Sequence, residues 1–275
     1  MIDTAFVVTN YNNSKYSIEL IESVIHNGVG KFVVIIVDNA SDSASLELLR
    51  NVESNYSSVK VIYNKENLGY FHGLNIGIHY VRKYYKAIQY LVVGNNDLIF
   101  PSNFLLSIKK ASHLLDKYPV ISPDIVTLDG LHQNPHVIKE ISKIRELIYD
   151  IYYSNYYLAG AIRKLALLTR GFTDRKDESQ FEIAQEIYQG YGACYILGPR
   201  FFELFEQLWT PTFMMYEEFF LSKQLESKGH KTYYEPSISV QHHWHVAMDA
   251  LPGKKRWKMG KDSHKEYRKY IKVLS

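Results

Sequence analysis

The stretch Tyr90-Leu91-Val92-Val93-Gly94-Asn95-Asn96-Asp97 decides the fold. Its first four residues are apolar and show no alternation. That pattern predicts a strand buried on both faces, as in a parallel sheet covered by helices. The chain then turns polar at once. Asp97 is delivered to the carboxyl end of the strand, where open α/β sheets bind their ligands. A carboxylate there holds a divalent metal or a ligand hydroxyl, or else closes the strand as an Asx-turn.

Working outward toward the N-terminus, the same grammar repeats. Residues 5–9 form a short apolar strand ending in the polar turn Asn10-Tyr11-Asn12-Asn13-Ser14. Ser14 or Ser17 can cap the helix that follows, whose apolar face is Ile18, Ile21, Val24 and Ile25. Residues 32–37 read as a second buried strand ending in Asp38-Asn39-Ala40-Ser41-Asp42. A helix through Leu46, Leu49 and Val52 leads to a third strand at residues 59–63. A glycine-punctuated loop, residues 64–78, then enters another helix. This strand–helix alternation predicts a mostly parallel sheet with right-handed crossovers. The loop after the first strand has no glycine, so the dinucleotide fingerprint is excluded where it would have to lie, and no P-loop motif occurs. Polar groups gather instead at three strand ends: Thr9 to Asn12, Asp38 to Asp42 and Asn95 to Asp97. Asp38 can accept a hydrogen bond from the imide N–H of a uracil or thymine ring, or simply cap the next turn.

Downstream, a helix through Phe104, Leu105 and Ile108 precedes a short strand at residues 120–123. Ile141, Ile144, Ile148, Ile151, Asn155, Leu158, Ile162 and Leu165 recur at alternating spacings of three and four, the seam of a packed helix or helical pair. Ser154-Asn155 is a natural break. The seam predicts packing on the chain's own domain, and leaves a homodimer seam or an interfacial helix open. Residues 173–182 are charged. Strand character returns at residues 190–198, and residues 201–208 read as a helix. Met215-Tyr216-Glu217-Glu218-Phe219-Phe220-Leu221 then sets two carboxylates among aromatic rings at a helix start. Burial raises a carboxylate pKa and suits it to general base work, whereas a helix N-terminus lowers it. The run Gln241-His242-His243-Trp244-His245 ends a last strand, and a histidine there can ligate a metal.

Composition narrows the functional classes. The 275 residues carry 46% hydrophobic and 22% charged side chains, ordinary globular usage, and the net charge of +3 does not argue for nucleic acid. The single cysteine, Cys194, excludes a disulfide framework and a thiolate metal cluster. No uncharged apolar run approaches the roughly 18 residues that span a membrane, and no secretory leader is evident, so a cytoplasmic location is expected.

Taken in order, these motifs resemble the family 2 inverting glycosyltransferases of the GT-A fold, of the bacterial surface-polysaccharide, rhamnosyltransferase-like type. The matching segments are residues 7–12, Asp38-Asn39-Ala40-Ser41-Asp42, Asn67-Leu68-Gly69 with Gly73, Asn75 and Gly77, Gly94-Asn95-Asn96-Asp97, Gly192-Ala193-Cys194, residues 215–221, and Pro236 with His242. The resemblance implies an α/β GT-A fold with a Rossmann-like sheet, a helical insertion at about residues 136–185 and a helical C-terminal segment. It implies one domain over residues 1–275, with a nucleotide-sugar half at 1–125 and an acceptor half at 126–275. By the same resemblance Thr9, Tyr11, Asp38, Asn67, Gly69, Asn75 and Asn96 bind the nucleotide. Asp97 and His242 hold Mg2+ or Mn2+, and Glu218, or Glu217 beside it, is the catalytic base. The implied partners are a UDP- or dTDP-type sugar donor and a glycan or lipid-linked acceptor in capsule, O-antigen or cell-wall polysaccharide synthesis. Two departures stand out: Asn95 replaces the first acid of a D-x-D motif, and Glu218 stands where the family has Asp.

Two rival readings follow from those departures and from the fold. A sugar-nucleotide pyrophosphorylase would need a basic, glycine-rich loop after the first strand, which residues 9–17 do not supply. A non-catalytic nucleotide-sugar-binding subunit would account for a degenerate acid set. The basic C-terminal stretch, from Lys254 to Lys272 with Trp257 and Tyr267, reads as a solvated helix face or as a peripheral membrane contact with anionic lipid at the inner face.

Overall fold

The computed structural model describes residues 3–27, 31–168, 176–243 and 253–271. Its first half follows the predicted alternation: β1 (Thr4–Asn10), α1 (Ser14–Asn27), β2 (Phe32–Asp38), α2 (Ser43–Asn55), β3 (Val59–Tyr63), α3 (Tyr70–Tyr84) and β4 (Tyr90–Asn95). Then come β5 (Leu98–Ile99), α4 (Phe104–Lys110), α5 (Ser112–Lys117) and β6 (Val120–Thr127). The second half holds α6 (Lys143–Ser154), α7 (Tyr156–Leu168), β7 (Gln185–Ile187) and β8 (Cys194–Leu197). It closes with α8 (Pro199–Leu204), α9 (Glu217–Glu226), β9 (Thr232–His242) and α10 (Gly253–Tyr267).

Nine strands form one sheet in the order β3-β2-β1-β4-β8-β6-β9-β5, with β7 paired to β9 beside β5. β1 runs parallel to β2 and β4, and β2 to β3. β8 is antiparallel to both of its neighbours, β4 and β6, while β6 and β9 run parallel. The central strands are buried on both faces, as the unalternating apolar runs require. One face packs Phe6, Val34, Val92 and Ile196 against α1, α2 and α4; the other packs Val7, Ile35, Val93 and Leu197 against α3 and α9. Gly77 lets α3 approach the sheet, because a Cβ there would meet Val7 Cγ1 at 2.3 Å and Val37 Cγ2 at 3.0 Å.

Several boundaries differ from the sequence reading. The strand at residues 120–123 extends to Thr127, because its second half pairs with β9 beyond a slip in register between Pro123 and Asp124. The strand at residues 190–198 contracts to Cys194–Leu197, and the helix at 201–208 becomes Pro199–Leu204, with proline in its first turn. Asn155 does divide the seam helix: its Oδ1 accepts from Tyr157 N at 2.8 Å and so starts α7. The expectation that the seam packs inward is not met. Ile144, Leu147, Ile148, Ile151, Leu158 and Leu165 are all exposed. α6 instead turns its polar side inward, where Glu146 and Asp150 meet Tyr267, His264 and Arg268 of the C-terminal segment. No helix among the described residues is long and apolar enough to cross a membrane.

These packing differences separate two helical glycines. Gly77→Ala should destabilise the chain by about 1–3 kcal/mol through overpacking. Gly160 in α7 meets nothing within 4 Å, so Gly160→Ala should cost nothing and favour its helix by about 0.5–1 kcal/mol. Urea melts followed by far-UV circular dichroism check both; equal effects of the two would contradict the packing described.

Candidate active site

The polar ends of β1, β2 and β4 lie side by side, because β1 Asn10 is in register with β2 Asp38 and Thr9 with β4 Asn95. Beneath them is a buried polar cluster. Asn10 Nδ2 donates to Asp38 Oδ1 at 2.8 Å, and Asn10 Oδ1 accepts from Ser17 Oγ at 2.8 Å and from Asn96 Nδ2 at 3.1 Å. Asp38 is fully buried, and its two carboxylate oxygens also receive Ser41 Oγ and Ser41 N. Its carboxylate therefore shapes the turn from below rather than presenting a free edge to a ligand. Asn96 is likewise committed, donating to Ser17 Oγ at 2.7 Å and to Asn13 Oδ1 at 2.8 Å. Asn75 lies buried on α3, with both ends of its amide spent on the backbone of Leu208. Asn75 and Asn96, expected at the nucleotide, brace the fold through these amide contacts.

Thr9 is half-buried and Tyr11 exposed at the lip of the cleft. Gly73 faces Thr9, at 2.7 Å from an added Cβ, and Asn39, whose amide donates to Gly69 O. Gly69 has φ +86°, and a Cβ there would run into the backbone carbonyl of Phe213. Glycine is thus required both by conformation and by space. Asn67 Oδ1 accepts from Gly69 N at 2.9 Å, closing an Asx turn that leads into α3.

Asp97 and His242 meet at the edge of the sheet. Leu98 is in register with His242 in the β5–β9 pair, and His243 N donates to Asp97 O at 3.0 Å. Both side chains are buried, with His242 Nε2 at 3.2 Å from Asp97 Oδ1. His242 Nδ1 lies 2.7 Å from Gln133 Oε1. Since that amide oxygen only accepts, Nδ1 carries the proton, and in the neutral ring Nε2 presents a lone pair to Asp97. Asp97 Oδ1 has no hydrogen-bond donor. With Nδ1–H committed to Gln133, Nε2 faces the carboxylate either as the N–H of an imidazolium ion-paired with it or, in a neutral ring, as a lone pair that a metal cation could share with the carboxylate. The half-buried Asn95 amide reaches the same imidazole, Nδ2 to Nε2 at 3.5 Å. Among the described residues no group of three or more His, Cys, Asp and Glu side chains could hold a metal. Asp97 and His242 are two side chains that could hold a divalent ion, its remaining ligands coming from outside this set. Of the other histidines, His243 pairs with Glu19 at 2.9 Å, and Trp244 and His245 lie outside the described residues.

The carboxylate pair opens α9 and meets the turn that leads into the adjoining strand, β8. Asn95 N donates to Ala193 O at 2.9 Å, and the preceding Gly192 N donates to Glu218 Oε1 at 3.1 Å. Gly192 must lack a side chain, because a Cβ would fall 2.5 Å from that carboxylate oxygen. Tyr70 OH donates to Gly192 O at 2.7 Å, fastening α3 to the same turn. Glu218 is half-exposed, whereas Glu217 is buried with Oε1 lacking a partner. Burial, and then the charge of Glu218, push the Glu217 carboxyl up to about 8, so burial overrides the helix N-terminus there. Both acids follow two consecutive left-handed residues, Met215 (φ +75°) and Tyr216 (φ +67°). Tyr216 OH lies 3.1 Å from His264 Nδ1, whose Nε2 meets Asp150 Oδ1 at 2.9 Å. Gln133, Tyr70 and His264 carried no local sequence signal; each acts through a partner far away in the chain.

Comparison with known proteins places this geometry. The structure is similar to a mannosyltransferase from Pyrobaculum calidifontis solved with GDP-Man and Mn2+: TM-score 0.54 at 14% identity, over 89% of this chain and 58% of that one. It is also similar to GalNAc-T7 with UDP, GalNAc and Mn2+: TM-score 0.57 at 16% identity, over 94% of this chain and 47% of the other. At such identity the likeness shows the fold, a GT-A type. In sequence, 72 residues are 32% identical to an uncharacterized glycosyltransferase of Haemophilus influenzae, 26% of this chain and 22% of that protein. The chain thus spans at most about 60% of any of these relatives. Residues 5–151, more than half of the chain, match Glycosyl transferase family 2, and the chain belongs to that family.

Proposed function

We propose that the chain is an inverting glycosyltransferase, moving a sugar from a nucleoside-diphosphate donor to a hydroxyl of a glycan or lipid-linked acceptor in surface-polysaccharide synthesis. The observation that carries this reading is the run of contacts joining Asp97 and His242 to Glu218: His242 Nε2 lies 3.2 Å from Asp97 Oδ1 and 3.5 Å from Asn95 Nδ2, Asn95 N donates to Ala193 O, and Gly192 N donates to Glu218 Oε1. Solved relatives of the same fold were obtained with GDP-Man or UDP and with Mn2+, which supports a nucleotide-sugar donor and a divalent ion. The donor is of the UDP or dTDP type by the sequence reading. Because the Asp38 carboxylate is spent internally, contact with the base falls to Thr9, Tyr11 and the loop around Asn67 and Gly69.

The chemistry then divides among this chain's residues. Glu218, half-exposed and oriented by Gly192 N–H, takes the proton of the acceptor hydroxyl. The acceptor oxygen forms a bond to the anomeric carbon as the bond to the diphosphate breaks, and the diphosphate leaves with the electron pair. A divalent cation held by Asp97 and His242 would stabilise the charge on the departing group. Gln133 holds the His242 ring in the tautomer that leaves Nε2 open. Glu217, neutral below about pH 8, keeps a second negative charge away from the base.

Three sets of measurements test this. In a thermal-shift screen with UDP, dTDP, GDP and CMP, one diphosphate should stabilise the chain in the presence of Mn2+, by about 2.7 kcal/mol at a hundredfold excess over Kd. No shift with any of them would favour a non-catalytic role. Glu218→Gln should lower kcat by about 10²–10⁴-fold with nucleotide affinity retained, and Glu217→Gln should lose less. The reverse order would move the base to Glu217.

Second, Asp97→Ala should abolish the Mn2+ dependence of nucleotide binding. Gln133→Leu should weaken Mn2+ affinity by about 10–100-fold, read by calorimetry with UDP bound. Third, Glu217 gives stability a pH slope. Its carboxyl titrates ordinarily near 4.5 and in the fold near 8, so between those values the folded chain keeps a proton that the unfolded chain has released. Stability falls across that window as pH rises, by up to about 1.4 kcal/mol per unit. Urea melts at pH 5, 6.5 and 8 should show Glu217→Gln gaining on wild type toward pH 8; a constant difference would contradict the burial of this acid.

A further inference from the structure

We propose that the exposed apolar face of α6 and α7, flanked by the cationic start of α10, docks on an anionic lipid bilayer. On α6, Ile144, Leu147, Ile148 and Ile151 recur at three- and four-residue spacing, and all four are exposed. On α7, Tyr157, Leu158, Leu165 and Leu168 continue the stripe, with Tyr157 81% and Leu168 85% exposed. A contiguous apolar surface of this kind on two adjoining helices marks an interaction site.

Charge identifies the occupant. α7 contains no acid and carries Arg163 and Lys164; the start of α10 contributes Lys254, Lys255 and Lys258 with no acid among them. All five cations are exposed. The acids of α6 point the other way: Glu146 is held by Tyr267, and Asp150 by His264 and Arg268. The start of α10 lies against the junction of α6 and α7. Trp257 Nε1 donates to Tyr152 O at 3.1 Å, Lys261 Nζ to Ser154 O at 3.2 Å, and Tyr156 packs edge-on against Trp257 at 5.7 Å. Apolar side chains bordered by cations, with Tyr152, Tyr156, Tyr157 and Trp257 at the margin, match the layering of a bilayer interface. A second copy of the same face would bring like charges together, which disfavours a homodimer there.

Sedimentation with vesicles tests the proposal without reference to transfer. The full chain should cosediment at low salt with phosphatidylcholine vesicles containing phosphatidylglycerol, and much less with phosphatidylcholine alone. Lys254→Glu/Lys255→Glu/Lys258→Glu should weaken that partition about tenfold or more, and Ile148→Ser/Leu158→Ser should weaken it at every salt concentration. Because all five positions are exposed, unchanged circular dichroism melts certify that the variants fold. Failure of the wild type to cosediment at low salt, or equal binding by wild type and both variants, overturns the proposal. A dimer in light scattering that Ile148→Ser/Leu158→Ser dissolves, without vesicle binding, also overturns it and assigns the face to a second copy.

Discussion

The apposition of the Asp97 carboxylate and the His242 imidazole, both buried and 3.2 Å apart, is the constraint on which the site depends. A buried carboxylate needs a partner, and here the facing group is the Nε2 side of a ring whose Nδ1 is turned to Gln133 Oε1. The sheet enforces the meeting. β5 and β9 pair so that Leu98 and His242 are in register, and β9 in turn runs beside β6 for most of its length. The contact is therefore held in place by the backbone hydrogen bonds of a large sheet.

A concentration of strain lies at the carboxylate pair. Two consecutive non-glycine residues, Met215 and Tyr216, are left-handed, and such conformations cost of order 1–3 kcal/mol each unless their surroundings enforce them. The C-terminal segment does so. Ser263 Oγ donates to Met214 O at 2.5 Å, His264 engages the Tyr216 hydroxyl, and Tyr267 packs on Phe219 at 4.3 Å. α6 fixes that segment from behind through Asp150 and Glu146. α6 thus braces, through the C-terminal segment, the turn that leads into Glu217 and Glu218.

What the sequence disclosed and what it withheld divide along physical lines. Strand β4 and the βαβ alternation were legible because unalternating apolar runs admit few other structures. Glycines 69 and 77 were legible as a motif, although their reason is tertiary: Gly69 meets Phe213, and Gly77 meets Val7. Asp38, Asn75 and Asn96 show the limit. A polar residue reads the same in sequence whether it faces a ligand or braces a neighbour, and all three hold neighbouring residues here. Gln133 was invisible, since nothing local distinguishes it until β6 and β9 pair. The seam of α6 and α7 was read correctly in period and wrongly in direction, because periodicity fixes that a helix has a face but not what the face meets.

That last point joins the two halves of the acceptor side. α6 has two faces of opposite character, and each has a distinct structural consequence. Its polar face, through Asp150 and Glu146, locks the C-terminal segment that holds Tyr216 and, one residue on, the acid pair. Its apolar face is bare. A helix stabilised only by its own propensity would be marginal at twelve residues, so the buried ion-pair side is what keeps the bare side in place. Because a single helix carries both, whatever covers the apolar stripe necessarily bears on the turn that positions Glu218. Tyr153, from the same helix, lies 6.5 Å from Tyr216 ring to ring, and Gly260 leaves room for its hydroxyl. The same helix thus presents an exposed apolar stripe on one side and packs its Tyr153 ring toward Tyr216 on the other.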